Sequence, residues 1–141
     1  MASSSGFHWG IDVGGSYAKI GYIGNGEFSL VRAIPTGPGS TPDMVLRESA
    51  RIILERDPSP AGVGLGAAGL IDRKPGRILF SPNLPLWADA GVVDILHELT
   101  GAPVVLDNDC NAFAAGAMVS GEIPDRGLWL FITLGTGIGG T

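Results

Sequence analysis

Apolar segments that run directly into glycine are the feature of this sequence that most restricts its fold. Of its 141 residues, 23 are glycine, against a usual share of about 7%. Two of the apolar segments, 7–13 and 127–134, each end in a glycine-rich loop. Glycine lets a backbone approach a ligand closely, because it carries no side chain. The pattern therefore predicts strands whose ends carry ligand-binding loops.

The composition restricts the class of protein. Hydrophobic residues make up 45% of the chain and charged residues 16%, which excludes a disordered segment and favours a globule with a core. The net charge of −5 argues against general binding to nucleic acid or to an anionic membrane, because phosphates attract clustered Lys and Arg. The single cysteine, Cys110, excludes an internal disulfide and a cysteine-based zinc cluster within the chain.

Neither a membrane span nor a secretory signal is expected. No apolar run approaches the roughly 20 residues that cross a bilayer. The first ten residues lack the basic and long apolar regions of a signal peptide. We therefore expect a cytoplasmic protein whose partners include neither a membrane nor nucleic acid.

Hydrophobic periodicity and turn residues predict the order of the elements. Strands are expected at 7–13, 17–23, 27–34, 61–66, 103–106 and 127–134, helices at 42–56, 91–100 and 111–119, and a loop at 71–87. Thr41 and Pro42 are typical of a helix N-cap and the first helical position. Three meandering strands followed by alternating helices and strands predict an α/β protein with a mixed sheet and helices packed on it.

The last predicted strand, 127–134, is apolar on both faces, which is typical of a central strand covered on both sides. The glycine loop after it should lead into another element, yet the sequence stops at Thr141. Two interpretations remain. Either the chain is a truncated piece of a longer protein, which we favour, or this strand pairs with another chain.

The first glycine loop follows a strand that delivers one carboxylate, Asp12, and continues through Gly14, Gly15 and Ser16. Turned glycine amides and a hydroxyl can cradle a phosphate, and a neighbouring carboxylate can hold a hydrated Mg²⁺. The alternative is a Gly-Gly hairpin in which Asp12 caps its own turn. The motif alone does not separate these two interpretations.

The second glycine loop, at 134–140, repeats this design with one hydroxyl, Thr136, followed by Gly137. It contains the pattern G-x-G-x-G but lacks the spacing of a dinucleotide fingerprint. Two strand-and-glycine loops, one near each end of the chain, would grip a nucleotide triphosphate from two sides. The pair is better evidence than either loop alone.

A polar cluster follows the strand at 103–106 and opens the next helix, in the order Asp107, Asn108, Asp109 and Asn111. Ligands of open α/β sheets bind outside the carboxyl ends of the strands, and a carboxylate there can accept a proton from a substrate hydroxyl. The alternative is that Asp107 or Asp109 caps the helix. Since this leaves both asparagines unexplained, we favour a functional cluster.

A proline-stiffened loop at 81–87 offers the amide of Asn83 and the aromatic face of Trp87. This combination suits a sugar, whose hydroxyls would meet the amide and whose apolar face would meet the ring. Alternatively, Trp87 belongs to the core and Asn83 is an ordinary turn residue. The segment alone does not decide between them.

Taken together, these segments resemble the ROK family of sugar kinases, which includes bacterial glucokinases and belongs to the actin-like ATPase superfamily. The resemblance covers almost the whole chain in five segments. Residues 10–19 resemble the first phosphate motif, 64–72 the glycine-rich strand, 81–87 the sugar loop, 108–111 the Asn-Asp-x-Asn box and 134–140 the second phosphate motif. Ser16 stands where Thr is usual, and Ala68 where Pro is usual. The implied fold is a ribonuclease-H-like, actin-like ATPase lobe.

The resemblance implies roles for individual residues. Asp109 would be the base that takes the proton from the sugar hydroxyl, and Asp12 would position Mg²⁺ through water. Residues on the sugar side would be Asn83, Asn108, Ala68 and Gly69. Residues on the ATP side would be Gly14, Gly15, Ser16, Lys19, Thr136 and Gly137. Lys19 also alternates with core positions, so its position equally suits a solvated strand face.

The implied activity is ATP-dependent phosphorylation of a hexose, with glucose converted to glucose 6-phosphate. The implied partner is a small sugar, and the full-length protein is expected to be a homo-oligomer. Residues 1–125 would form the smaller lobe of the kinase, and 126–141 the first strand and phosphate loop of a second lobe. Because the family usually continues for about as many residues again, we expect this chain alone to bind sugar weakly and turn over little. Ala117 stands where a supporting Glu is frequent.

Three alternatives remain. An N-acetylated amino-sugar kinase of the same family is not distinguished by the sequence, nor is polyphosphate as the donor. A sugar-sensing repressor would carry a winged helix ahead of Asp12, which the eleven preceding residues do not accommodate. A non-catalytic sugar-binding or regulatory fragment could instead assemble through the strand at 127–134.

Overall fold

The computed structural model of this chain describes residues 6–124, 126–134 and 138–141. Its strands are β1 (His8–Val13), β2 (Tyr17–Gly24), β3 (Glu27–Pro35), β4 (Gly62–Ala67), β5 (Leu70–Asp72), β6 (Arg77–Phe80), β7 (Val104–Asn108), β8 (Ile132–Leu134) and β9 (Ile138–Gly140). Its helices are α1 (Pro42–Arg56), α2 (Val92–Thr100) and α3 (Asp109–Val119), with a 3₁₀ turn at Pro85–Trp87.

A five-stranded mixed sheet in the order β3-β2-β1-β4-β7 organises the fold. The first three strands are antiparallel neighbours, whereas β1, β4 and β7 are parallel to one another. Parallel neighbours need crossover connections, and α1 lies in the first of these and α2 in the second. The predicted α/β class with a mixed sheet is therefore confirmed.

One face of the sheet carries the hydrophobic core. Side chains alternate along a strand, so Trp9, Ile11 and Val13 of β1 are buried while the residues between them are exposed. The same core contains Leu46 of α1 and Leu96 of α2, and these two helices pack against each other. The helix α3 packs on the opposite face, over Gly66 of β4.

The helix α1 begins and ends where the sequence predicts. The hydroxyl of Thr41 accepts a hydrogen bond from the Met44 N–H at 3.3 Å, and Pro42 occupies the first helical turn. An N-cap oxygen satisfies one of the free N–H groups at a helix start, which explains why this boundary is readable from sequence. Among the described residues, no helix is both long enough and apolar enough to cross a bilayer.

The segment 71–87, predicted to be a loop, contains the hairpin of β5 and β6 and the 3₁₀ turn. A turn at 73–76 connects the two strands, and Ile78 of β6 is buried in the core. The loop prediction was wrong because strands of three and four residues are too short to display an alternating pattern.

The prediction of a single strand over 127–134 was wrong in its bounds. Only Ile132–Leu134 forms a strand, which pairs antiparallel with Ile138–Gly140 in a separate two-stranded sheet. Leu128 is fully exposed, and Leu130 and Leu134 are largely so. Within the described residues, this apolar run has no neighbour in the five-stranded sheet.

Candidate functional site

The carboxyl ends of the parallel strands bring four residues into one row across the sheet. Lys19 lies opposite Asp12, Asp12 opposite Gly66, and Gly66 opposite Asp107. Residues in register on neighbouring strands point to the same face. Two carboxylates and an ammonium group therefore face the same side at the end of the sheet where the sequence predicts a site.

Asp109 lies above the middle of this row. A Cβ atom on Gly66 would lie 3.7 Å from the Asp109 Cα and 3.5 Å from the Ala112 Cβ. The first turn of α3 thus sits over Gly66, which separates Asp12 from Asp107 in the row. Asp12 is distant in sequence from Asp107 and Asp109, yet all three carboxylates consequently lie near one edge of the sheet.

Asp12 has a perturbed electrostatic environment. Burial raises the pKa of its carboxyl above the ordinary value, the Lys19 charge opposes this increase, and the negative charge of Asp109 adds to it. The Lys19 Nζ lies 4.0 Å from Asp12 Oδ2. Among the described residues, Asp12 pairs with Lys19 and not with a backbone N–H of its own turn. The interpretation that Asp12 caps its own turn is therefore not supported.

The first glycine loop is held by a residue that the sequence analysis missed. Thr36 Oγ1 donates to the Gly14 carbonyl at 2.7 Å, and the Thr36 N–H donates to the Ser16 carbonyl at 2.9 Å. Ser16 itself is exposed. Thr36 follows β3 directly, and no local motif marks it, because its partners lie about twenty residues earlier in the chain.

The polar cluster at the start of α3 is capped by Asn108. Its Oδ1 accepts the Cys110 N–H at 3.0 Å, and Asp109 Oδ1 accepts the same N–H at 2.9 Å. The alternative that Asp107 or Asp109 is the N-cap residue was therefore wrong. Asn108 also donates from Nδ2 to the Gly69 carbonyl at 3.0 Å, which leaves one amide N–H and one lone pair for a ligand.

Asp107 is the centre of a hydrogen-bond network. Its Oδ1 accepts the Asn108 N–H at 2.7 Å and Asn111 Nδ2 at 3.0 Å. Arg73 donates a further hydrogen bond from Nε at 3.0 Å, and its Nη2 forms an ion pair with the same oxygen at 2.8 Å. Although partial burial acts in the opposite direction, these hydrogen bonds and the Arg73 charge hold the pKa of Asp107 below its ordinary value. Sequence analysis did not find Arg73, since it depends on the unpredicted hairpin.

The sugar loop predicted at 81–87 divides into a core residue and a cavity residue. Trp87 is completely buried, and its Nε1 donates to the Ser40 carbonyl at 2.9 Å. Of the two interpretations of Trp87, the one as a core residue is correct. Asn83 lines the larger cavity and lies directly against Gly15.

Gly69 occupies a position that requires glycine. Its φ is +118°, and a Cβ there would collide with the Phe80 carbonyl oxygen. The neighbouring Ala68 donates its N–H to the Val13 carbonyl at 3.4 Å. Both residues line the larger cavity, as does Asn83.

Two cavities meet at the carboxylates. The larger has a volume of about 1050 Å³ and the smaller about 850 Å³. Asp12, Asp107 and Asp109 line both. The larger contains the predicted sugar-side residues together with Gly14 and Gly15, whereas Lys19 lines the smaller.

The second predicted phosphate loop is only partly described. Thr136 and Gly137 lie outside the described residues. Thr133, Leu134 and Gly139, on either side of them, line the larger cavity. The site residues on the second loop therefore remain predictions.

Comparison with known proteins identifies related sequences and folds. The sequence profile of the ROK family matches residues 8–141. A glucokinase of Thermotoga maritima is 36% identical over 134 residues, covering 93% of this chain and 42% of that protein. The xylose repressor of Bacillus subtilis is 30% identical over 143 residues, covering 96% of this chain and 36% of that protein.

A solved structure of similar fold is the ROK family glucokinase of Streptomyces griseus in complex with glucose and AMPPNP. It is 32% identical, with a TM-score of 0.78, and the match covers 96% of this chain and 43% of that one. The chain thus spans less than half the length of each of these three proteins.

Proposed function

Since this chain belongs to the ROK family and has the actin-like ATPase fold of its sugar kinases, we propose that it supplies the sugar-binding side of an ATP-dependent hexose kinase. The proposed reaction is the phosphorylation of glucose on its primary hydroxyl. The observation that carries this proposal is the position of Asp109, at the junction of two cavities and beside Asp12 and Asp107. The larger cavity, lined by Asn83 and Asn108 and also by Gly14 and Gly15, would hold the sugar next to the transferred phosphate.

Asp109 is the proposed base. Phosphoryl transfer requires one group to orient the attacking hydroxyl and accept its proton, together with groups that neutralise charge on the phosphates. Its backbone lies over Gly66, and its Oδ1 is held by the Cys110 N–H. A carboxylate fixed at a helix start in this way can meet a hydroxyl in a defined direction.

Asn83 and Asn108 are the proposed ligands for the other sugar hydroxyls. Both line the larger cavity, where Ala68 and Gly69 bring backbone close to the same space. Asn108 retains one N–H and one lone pair after its bonds to Gly69 and Cys110. These groups match a hydroxyl, which both donates and accepts.

The phosphate side is proposed to consist of Gly14, Gly15, Ser16 and Lys19, with Thr136 and Gly137 from the second loop. Asp12 is the residue proposed to hold Mg²⁺ through water. The ion prefers oxygen ligands and keeps several waters, using one or two carboxylates together with phosphate oxygens. Asp12 fits this demand, because 58% of its side chain is exposed and it borders both cavities. When bound, the ion would neutralise charge on the transferred phosphate.

We further propose that residues 1–125 form one lobe and 126–141 begin a second. The support is that β8 and β9 form a sheet of their own, and that the apolar segment before them is exposed. In this proposal, the second lobe closes the donor side of the site, where phosphates must be oriented and water excluded.

A second candidate function is sugar-dependent regulation without phosphoryl transfer. The observation that favours it is the 30% identity with the Bacillus subtilis xylose repressor. Such a protein would bind a sugar but release no ADP. Sugar binding and ADP release therefore have to be measured separately.

The test uses this chain and a version extended to the length of its relatives. Sugar binding is measured by calorimetry with a hexose panel, and ADP release by a coupled assay with ATP and Mg²⁺. We expect weak glucose binding by this chain and glucose-dependent turnover by the extended one. Asp109→Asn should lower kcat by about 10²–10⁴-fold with a much smaller effect on glucose affinity.

Asp94→Asn, at an exposed position of α2, is the matched control and should change neither quantity. Glucose binding without turnover in the extended protein would favour the regulator. Turnover that survives Asp109→Asn would remove this residue as the base.

A further inference from the structure

The Asp107 carboxylate connects two elements that are far apart in sequence. Two of its donors, Asn108 and Asn111, belong to its own strand end and helix start. The third, Arg73, lies 34 residues earlier, between β5 and β6. Asp107 Oδ1 thus links the β5–β6 hairpin to the segment that carries Asn108 and Asp109.

A second contact crosses between the same two elements. Asn108 Nδ2 donates to the Gly69 carbonyl, immediately before β5. Asn108 is therefore held on both sides, by Gly69 through its side chain and by Asp107 through its N–H. The direction of its remaining amide hydrogen depends on where the hairpin lies.

The geometry of the Arg73–Asp107 pair suits a positioning role better than a stabilising one. The Arg73 side chain is 60% exposed and that of Asp107 is 35% exposed, and exposed ion pairs contribute little to global stability. The guanidinium nevertheless donates a hydrogen bond from Nε to Asp107 Oδ1 and brings Nη2 within 2.8 Å of the same oxygen, so the contact depends on direction as well as on charge. Loss of this pair should change the site without unfolding the protein.

We propose that Arg73 is a positioning residue that acts through Asp107 to fix Asn108 and Asp109 at the edge of the larger cavity. The consequence for sugar binding rests on the proposed function, whereas the effect on the geometry of the segment does not. Because Arg73 also lines the cavity, the rival explanation is that its guanidinium contacts the ligand directly. The two explanations predict different double-mutant behaviour.

The experiment compares Arg73→Gln, Asp107→Asn, the double variant and Arg73→Lys in this chain. Arg77→Gln is the matched control, because Arg77 lies on the same hairpin and pairs with Asp89 at 2.9 Å, but does not line the larger cavity. Glucose affinity is measured by NMR titration. The same spectra report the side-chain amide of Asn111, the N–H of Asn108 and the carboxyl titration of Asp107.

We expect each single variant to weaken glucose binding about tenfold, since small displacements of binding groups have large effects. The double variant should be no weaker than either single variant, because both remove the same interaction. Arg73→Lys should keep more of the affinity than Arg73→Gln, because Lys retains the charge but lacks the Nε donor. The control should stay within about twofold, and no variant should lower Tm by more than about 3 °C.

The spectra supply a result that does not depend on sugar. In Arg73→Gln, the Asn108 and Asn111 signals should shift as they do in Asp107→Asn, and the pKa of Asp107 should rise toward its ordinary value. Unchanged Asn108 and Asn111 signals in Arg73→Gln would overturn the proposal. Losses of glucose affinity that add in the double variant would also overturn it, and would indicate that Arg73 contacts the ligand directly.

If the parent chain binds no glucose, the proposed function fails for this chain, and the Asn108, Asn111 and Asp107 signals alone decide the role of Arg73.

Discussion

Gly15 and Asn83 are in direct contact across two loops. A Cβ atom on Gly15 would lie 2.7 Å from the Asn83 Cβ and 3.3 Å from its Nδ2. The first glycine loop therefore supports the proposed sugar ligand, in addition to any role of its backbone toward phosphate. Thr36 holds this glycine loop in place through hydrogen bonds to Gly14 and Ser16. The position of Gly15 against Asn83 is therefore fixed.

Gly15→Ala is predicted to displace Asn83. A methyl group in this space has to push the Asn83 side chain aside, and overpacking of this kind costs about 1–3 kcal/mol. We expect glucose affinity to fall at least tenfold in a calorimetric titration. Gly37→Ala is the control, because a Cβ there meets no atom within 4 Å. Equal glucose affinity of Gly15→Ala and the parent would contradict the prediction that displacing Asn83 weakens sugar binding.

Asp57→Ala is predicted to destabilise the fold without touching the site. Asp57 is buried, and its Oδ2 accepts the Phe7 N–H at 2.8 Å and Trp9 Nε1 at 3.1 Å. The residue thus joins the end of α1 to the start of β1, and its removal leaves buried donors without a partner. We expect the free energy of unfolding in urea to fall by about 2–3 kcal/mol.

The comparison for Asp57 is Asp43→Ala, which removes an exposed carboxylate of α1 that pairs with Arg47. Its effect should be much smaller, because exposed pairs are weak. Similar losses in the two variants would contradict the structural role assigned to Asp57.

Much of the fold could be predicted because its signals are local. Thr41 and Pro42 mark the start of α1, and glycines or polar clusters mark the ends of β1, β4 and β7. Side chains that follow parallel strands necessarily meet at one sheet edge, so the approach of Asp12 to Asp109 was also predictable.

The contacts that sequence analysis missed join residues with no local pattern. Arg73 reaches Asp107 only because β5 and β6 form a hairpin, and these strands are too short to be recognised by alternation. The strand in the segment 127–134 is shorter than its apolar run suggests, since only Ile132–Leu134 forms one. An apolar run indicates which residues are suited to burial, whereas pairing depends on the strands available beside it.

Removal of residues 126–141 is predicted to leave the five-stranded sheet folded. The described contacts of this segment are with α3 and not with a strand of the five-stranded sheet, and include Phe131 against Phe113 at 6.2 Å between ring centroids and the Cys110 thiol on the Phe131 carbonyl at 3.8 Å. The segment exposes large apolar side chains such as Leu128 and Leu130. We expect Tm to change by less than about 5 °C in a thermal melt followed by circular dichroism. Loss of the cooperative transition would contradict the proposed lobe boundary.

Asp12→Asn is predicted to change the pH dependence of stability in a defined direction. The folded-state pKa of Asp12 is raised, chiefly by burial, so ionising this group opposes folding. The contribution of the Asp12 carboxyl to folding stability is most favourable below its ordinary pKa of 3.8. This contribution is lost as the pH rises through the folded-state pKa. Because Asn carries no charge at any pH, the Asp12→Asn chain does not lose this stability as the pH rises.

Urea unfolding of the parent and Asp12→Asn chains from about pH 3 to about pH 7 measures this effect. The stability of the variant relative to the parent should rise with pH. Asp107→Asn is the matched comparison with the opposite sign. Its parent carboxyl has a lowered pKa, so its stabilisation is present above the unfolded-state pKa and is lost as the pH falls. Asp107→Asn should therefore be less stable than the parent, with the largest difference at neutral pH. Equal slopes of the stability difference against pH for the two variants would contradict the opposite environments of the two carboxylates.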